Sequence, residues 1–319
     1  MNQTIAIAAG LFAAATWAVA SLLFARFLRD HVCERPPSPA GANLFKNTIA
    51  CLTFCALWPF FGGALPAGEV IFWLLISGLL GFTLGDGFYL AALPRCGVQT
   101  AAMVGQLNVP LAALLGYWFA NEPLQGTTLA AMGLTMAGVL LVISDPVTAR
   151  GEGRHKAFKA GVTFALLNAV TIASGIFVGH VGIKDLEIVP GAVVRLLGGM
   201  CGAFLFAPLW GSIARLLGDR STSAAVELRG LVEPVHRRSF WKPLLTASFA
   251  GSVLGLLPYH IALRDLPGGV AAVMFATTPL FTLPLGYLFH ERFGTRSVLG
   301  TVLGFAGVAG VIFSLPSAT

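Results

Sequence analysis

Gly81–Glu122 reads GFTLGDGFYLAALPRCGVQTAAMVGQLNVPLAALLGYWFANE, an apolar run that nevertheless holds Asp86, Tyr89, Gln106 and Asn108. A second stretch, Gly251–Glu291, reads GSVLGLLPYHIALRDLPGGVAAVMFATTPLFTLPLGYLFHE. At one constant offset Gly81, Leu84, Gly85, Tyr89, Ala92, Leu93, Ala101, Ala102, Leu115, Gly116, Tyr117 and Phe119 each meet the same residue type. After a slip of one residue Glu122 meets Glu291, and Ala137-Gly138-Val139 meets Ala306-Gly307-Val308. An internal repeat in so apolar a chain points to a membrane protein built from two related halves.

Composition supports that class. The chain is 56% hydrophobic and 11% charged, with mean hydropathy +0.81, whereas soluble domains carry about 25% charged residues. Its apolar stretches are long enough for helices to span a bilayer, and they lack the short alternating segments of a β-barrel. The net charge of +6 lies mostly between apolar stretches, which reads as a topology signal and a lipid contact, with no nucleic-acid partner. Cys33, Cys51, Cys55, Cys96 and Cys201 have no metal-type spacing, so neither a metal nor a cofactor is expected. The N-terminal apolar run lacks the Lys/Arg of a signal peptide and reads as a retained first span. Its Ala20-Ser21-x-x-Phe24 is echoed by Ala173-Ser174-x-x-Phe177.

The spacing predicts an all-α polytopic membrane protein of ten transmembrane helices, arranged as two inverted five-helix repeats at 1–150 and 151–319. The spans fall near 4–24, 42–61, 69–93, 98–119 and 125–144, then 158–181, 189–210, 243–263, 268–289 and 295–315. Pro94-Arg95-Cys96-Gly97 makes the turn between spans three and four. Asn121-Glu122-Pro123 reads as the cap and first turn of span five. Five spans per repeat send the second copy into the membrane in the opposite sense, which places a substrate site near the midplane where the halves meet.

Seventeen loop or near-loop basic residues, among them Arg26, Arg29, Arg95, Arg154, Arg238 and Arg296, fall at one side of these spans, and only Lys184 and Arg264 at the other. The positive-inside rule then predicts basic loops in the cytoplasm of a cell membrane, a bacterial inner membrane, with both termini outside. The 211–242 connection is basic. Its Leu228, Leu231, Val232 and Val235 share a helical face, so it is either a short interfacial helix on anionic lipid or a solvated cytoplasmic loop.

Gly85-Asp86-x-x-Tyr89-x-x-Ala92-Leu93, the Pro110–Tyr117 run and Glu122, repeated as Tyr259-x-x-Ala262-Leu263, Pro279, Gly286-Tyr287 and Glu291, resemble the drug/metabolite transporter superfamily. The match is to its EamA-like ten-helix branch. Trp17 looks like that family's first-helix tryptophan. The resemblance covers nearly the whole chain. It implies a secondary transporter of small metabolites or drugs, often an exporter, working by alternating access.

Charges inside a span are expensive, at least about 2.5–3.5 kcal/mol at its centre, and so need a partner or a purpose. Lys46 in span two and Asp86 in span three lie on consecutive antiparallel helices. They are expected either to pair or to release Asp86 for a coupling proton. Arg195 in span seven has no acid at its repeat-related position. It is expected either to face the cavity and hold a substrate carboxylate or phosphate, or to snorkel outward. Gln106 and Asn108 beside Pro110, and Thr277 and Thr278 beside Pro279, line a substrate path or bond between helices. Trp17, Tyr89, Asn168 and Tyr259 complete the candidate substrate-binding set. Tyr117 and Tyr287 suit interfacial aromatic belts, and His260 a solvated interface. The glycines, including Gly81, Gly85, Gly133, Gly138, Gly198, Gly199 and Gly202, read as close-packing residues. An intramembrane enzyme is disfavoured, since Asp86 has no second in-span aspartate to form an acid pair. A channel or a non-transporting receptor is the alternative class.

Overall fold

The structure is a computed structural model describing residues 3–29, 37–121, 124–147, 152–183, 188–216, 223–265, 274–289, 291 and 293–314. Among these residues every regular element is a helix. The first half holds α1 (Gln3–Leu28), α2 (Pro39–Phe61), α3 (Gly68–Cys96), α4 (Val98–Phe119) and α5 (Gly126–Ile143). The second holds α6 (Glu152–Ile183), α7 (Ile188–Leu216), a short α8 (Ala224–His236), α9 (from Arg238), α10 (Thr278–Leu288) and α11 (Thr295–Ser314). Nine of the expected spans are long and apolar enough to cross a bilayer. The ninth in chain order is represented by α10, because residues 266–273 lie outside the described set.

Two helices depart from regular winding at repeat-related positions. Helix α3 widens to π-helical winding over Leu79–Gly85, and α9 does the same over Phe249–Val253. Helix α4 breaks at Gln106 and Leu107, and the stretch before α10 breaks at Thr277. Each departure frees main-chain carbonyls that lipid cannot satisfy, so side chains from neighbouring helices must take them.

Glycines set the closest approaches. A Cβ on Gly78 would overlap the Arg195 carbonyl, one on Gly198 the Leu75 carbonyl, and one on Gly202 the Thr83 hydroxyl. Helices α3 and α7 therefore meet backbone to backbone. Helices α5 and α11 meet the same way, with Gly138 against Gly300 and Gly304, and Gly307 against Thr135. Gly133, expected to pack closely, faces open space. Past the end of α5, buried Asp145 accepts hydrogen bonds from the Ser297 amide (2.8 Å) and hydroxyl (2.6 Å) in the first turn of α11. Burial pushes that carboxyl up. The bonds from Ser297 and from the Val147 and Gly294 amides outweigh it, holding the group below its ordinary value.

One further expectation is corrected. Asn121 caps the C-terminus of α4 in the left-handed conformation (φ 54°, ψ 31°), with its amide on the Gly116 carbonyl. It does not start α5, whose N-cap is Gln125. Asparagine suits both places, because its short amide tolerates positive φ and also caps N-termini. Of the two readings of the 211–242 connection the helical one holds: α7 continues to Leu216, and α8 covers Ala224–His236. Glu122, Pro123 and Lys184 lie outside the described residues, as does the side chain of His260. Exposed Tyr117 and Tyr287 stand near opposite ends of the spans, as interfacial residues do.

Candidate functional site

The middle of the molecule gathers around Phe82, in the π-helical stretch of α3. Lys46 of α2 places its Nζ 5.9 Å from the centre of that ring, and Arg195 of α7 places its Cζ 5.0 Å from it. Lys46 donates to Asp86 Oδ2 at 2.6 Å and to Asn47 Oδ1 at 2.9 Å. The expected pair therefore forms, and each charge cancels the other. Both side chains are mostly buried, at 14% and 28% exposed.

Arg195 is different. Its Nε is buried and has no hydrogen-bond partner among the described residues. Its guanidinium makes no ion pair among them either, and its Cζ stands over the Phe82 ring. A guanidinium cannot shed its proton. Lys46, Asp86 and Arg195 together leave one uncompensated positive charge at this depth, and in a low-dielectric setting such a charge strongly favours an incoming anion.

An aromatic wall stands alongside. Trp17 of α1, Tyr259 of α9 and Phe275 form a mutual cluster with ring centres 5.3, 5.7 and 4.2 Å apart. Trp17 also spends its indole N–H on the Gly251 carbonyl at 2.9 Å, inside the π-helical stretch of α9. Tyr89 donates its hydroxyl to Ser21 Oγ at 3.0 Å. Asn168 of α6 is 6% exposed and donates to the Gly85 carbonyl at 3.0 Å. Thr277 and Thr278 return their hydroxyls to the Met274 and Phe275 carbonyls one turn back. Gln106 and Asn108 are half-buried at the break in α4, and their side chains make no hydrogen bond among the described residues. Lys46 and Arg195 are thus brought to one ring with Asp86 on Lys46, and Trp17 and Tyr259 into one cluster; Asn168, Gln106, Asn108, Thr277 and Thr278 lie at backbone breaks, while Tyr89 bonds to Ser21 of α1.

Sequence reasoning missed Phe82, Asn43, Asn47 and Gln99. Asn43 donates to the Phe82 and Thr83 carbonyls at 2.7 and 3.1 Å, and Asn47 to the Phe82 carbonyl at 3.0 Å. These amides satisfy the carbonyls freed by the π-helical winding, and Asn47 also steers the Lys46 ammonium. Gln99, fully buried, donates to Thr301 Oγ1 at 2.6 Å and to the Pro279 carbonyl at 3.3 Å, and accepts from the Thr282 hydroxyl. It ties α4 to α10 and α11. The available signal was four-residue spacing: Asn43 and Asn47 share a face within an apolar span, where each amide needs a partner.

The family model described as "EamA-like transporter family" matches twice, over residues 4–144 and 159–313. No curated protein matches the chain. A solved chain described as "Crystal structure of protein" superposes with a TM-score of 0.59 at 16% identity, covering 96% of this chain and 95% of the other, and so shares the fold. Two family matches across nearly the whole length, on a helical chain with repeat-related helix breaks, assign this protein to the EamA-like transporter family of the drug/metabolite transporter superfamily, a two-repeat polytopic membrane fold.

Proposed function

We propose that the chain is a secondary active exporter of small organic anions or zwitterions, working by alternating access between repeats at 1–150 and 151–319. The observation that carries this reading is the buried Arg195 Nε with no acceptor among the described residues, beside a Lys46–Asp86 pair that is already neutral. A substrate carboxylate or phosphate supplies the missing acceptor and can engage the guanidinium fork in two parallel bonds. The aromatic cluster of Trp17, Tyr259 and Phe275 receives the apolar part of the substrate. Asp86, when protonated, releases Lys46, which gives a route to coupling with a proton. The basic loops face the cytoplasm of a cell membrane, both termini lie outside, and export follows the habit of the resembled family.

The test is transport in proteoliposomes by Arg195→Ala and Arg195→Lys. A hydrogen bond to a charged group is worth about 1.5–3 kcal/mol. Arg195→Ala should therefore lower uptake of an anionic substrate by roughly 10- to 150-fold at substrate levels below KM, and Arg195→Lys should recover part of it. Wild-type flux through Arg195→Ala overturns the assignment.

A further inference from the structure

Helix α8 presents three distinct faces. Glu227, Gly230, Leu231 and Pro234 are buried, where α8 lies on α2 and α7. That docking is close: a Cβ on Gly41 of α2 would overlap the Gly230 carbonyl, and one on Gly230 would overlap the Ser38 side chain. Leu228, Val232 and Val235, at i, i+4 and i+7, are 44%, 45% and 59% exposed. Arg229 and His236 are exposed on the remaining side, and Glu233 there pairs with Arg237 at 3.2 Å.

The open apolar face does not end with α8. Trp241, in the first turn of α9, donates its indole N–H to the Val235 carbonyl at 3.3 Å. Trp241, Leu245 and Phe249 are all exposed and follow one another at helical spacing along a membrane span. An exposed apolar stripe on such a span is the face suited to lipid, and through Trp241 it runs into the open face of α8. At its end stand Arg238 and Lys242, one turn apart and exposed; neither they nor Arg229 has an acidic partner among the described residues. A face on protein, a face continuous with the lipid-facing surface, an interfacial tryptophan and flanking unpaired cations are the requirements of a helix lying in a charged bilayer surface.

We infer that α8 and the first turns of α9 form a docking surface for the anionic phospholipid leaflet on the basic side of the protein, with Leu228, Val232 and Val235 at acyl depth and Arg229, Arg238 and Lys242 on headgroup phosphates. Because α8 rests on the same helix that carries Lys46, the charge of that leaflet bears on the stability of the central site.

The experiment uses the full chain in nanodiscs of phosphatidylcholine, with or without phosphatidylglycerol, and reads the unfolding temperature and the lipid retained in native mass spectrometry. Wild type should unfold at a higher temperature when phosphatidylglycerol is present, and should retain it preferentially. Each basic residue at an anionic surface contributes about a fivefold change in association. The triple variant R229Q/R238Q/K242Q should thus retain roughly a hundredfold less phosphatidylglycerol, while matching wild type in phosphatidylcholine alone. V232S/V235S should weaken retention of either lipid. Three results overturn the inference: an unchanged phosphatidylglycerol response in the triple variant, equal stabilisation by free phosphate in phosphatidylcholine discs, or crosslinking between two copies through a cysteine placed at Val232.

Discussion

The π-helical stretch of α3 and its repeat-related partner in α9 use one backbone device and support it in two ways. In α3 the freed carbonyls of Phe82, Thr83 and Gly85 take four amide hydrogen bonds from Asn43, Asn47 and Asn168, donated by helices in both halves. In α9 the Gly251 carbonyl takes one bond, from the Trp17 indole. Ser248, just before it, is buried with a hydroxyl that has no partner among the described residues. The first stretch is pinned on several sides and holds the charges. The second rests on an aromatic ring that also belongs to the Trp17–Tyr259–Phe275 cluster. Duplication explains the shared winding, and divergence explains the support, because a carbonyl accepts from any donor that reaches it. The lesson is that one backbone device is held by four side-chain bonds in the first repeat and by one in the second.

That contrast has measurable consequences. Asn43→Leu removes the two hydrogen bonds that Asn43 gives to the Phe82 and Thr83 carbonyls of α3 and should cost about 3 kcal/mol of stability, at up to about 1.5 kcal/mol for each bond lost. Detergent unfolding would show it as a large fall in midpoint, and a near-neutral result would mean that this stretch is not pinned. Asp86→Asn strands the Lys46 ammonium and should cost about 2 kcal/mol, below the 3–5 kcal/mol of a fully buried pair because both groups are partly exposed. The double change Lys46→Met/Asp86→Leu should recover most of that loss, and additive losses in the same unfolding assay would contradict a coupled pair. Trp17→Phe keeps the ring contacts but removes the bond to Gly251, for about 1 kcal/mol. If it costs as much as Asn43→Leu, the two stretches are equally supported and the contrast fails.

The Lys46–Asp86 pair was legible in advance because two in-span charges on consecutive antiparallel helices have few other places to go. Arg195 was legible as a charge lacking an acidic counterpart in the repeat. Its place over the Phe82 ring was not, since that depends on how α7 slides along α3. Asn43 and Asn47 were overlooked because nothing local reveals that α3 widens and frees carbonyls opposite them. Asn121 was misassigned because the same residue suits either end of a helix, and only the chain path chooses between them. Helix α8 stood between two readings until its buried face was seen, as an amphipathic pattern does not say what lies against the apolar side.

From the amino-acid order alone came the membrane class, the repeat, the approximate spans, the family resemblance and the charged residues that needed explaining. These follow from hydropathy and from residue identity, which act along the chain and need no knowledge of neighbours. The tertiary structure decided which polar groups meet: Asn43, Asn47 and Asn168 on the carbonyls of α3, Gln99 between α4, α10 and α11, Asp145 on the first turn of α11, and Arg195 with no acceptor among the described residues. In a bilayer each buried donor or acceptor must find a partner within the protein or bring in a ligand. Helix depth and rotation choose between those outcomes, and they are set by packing of glycines such as Gly78, Gly138 and Gly198 against backbone far away in sequence.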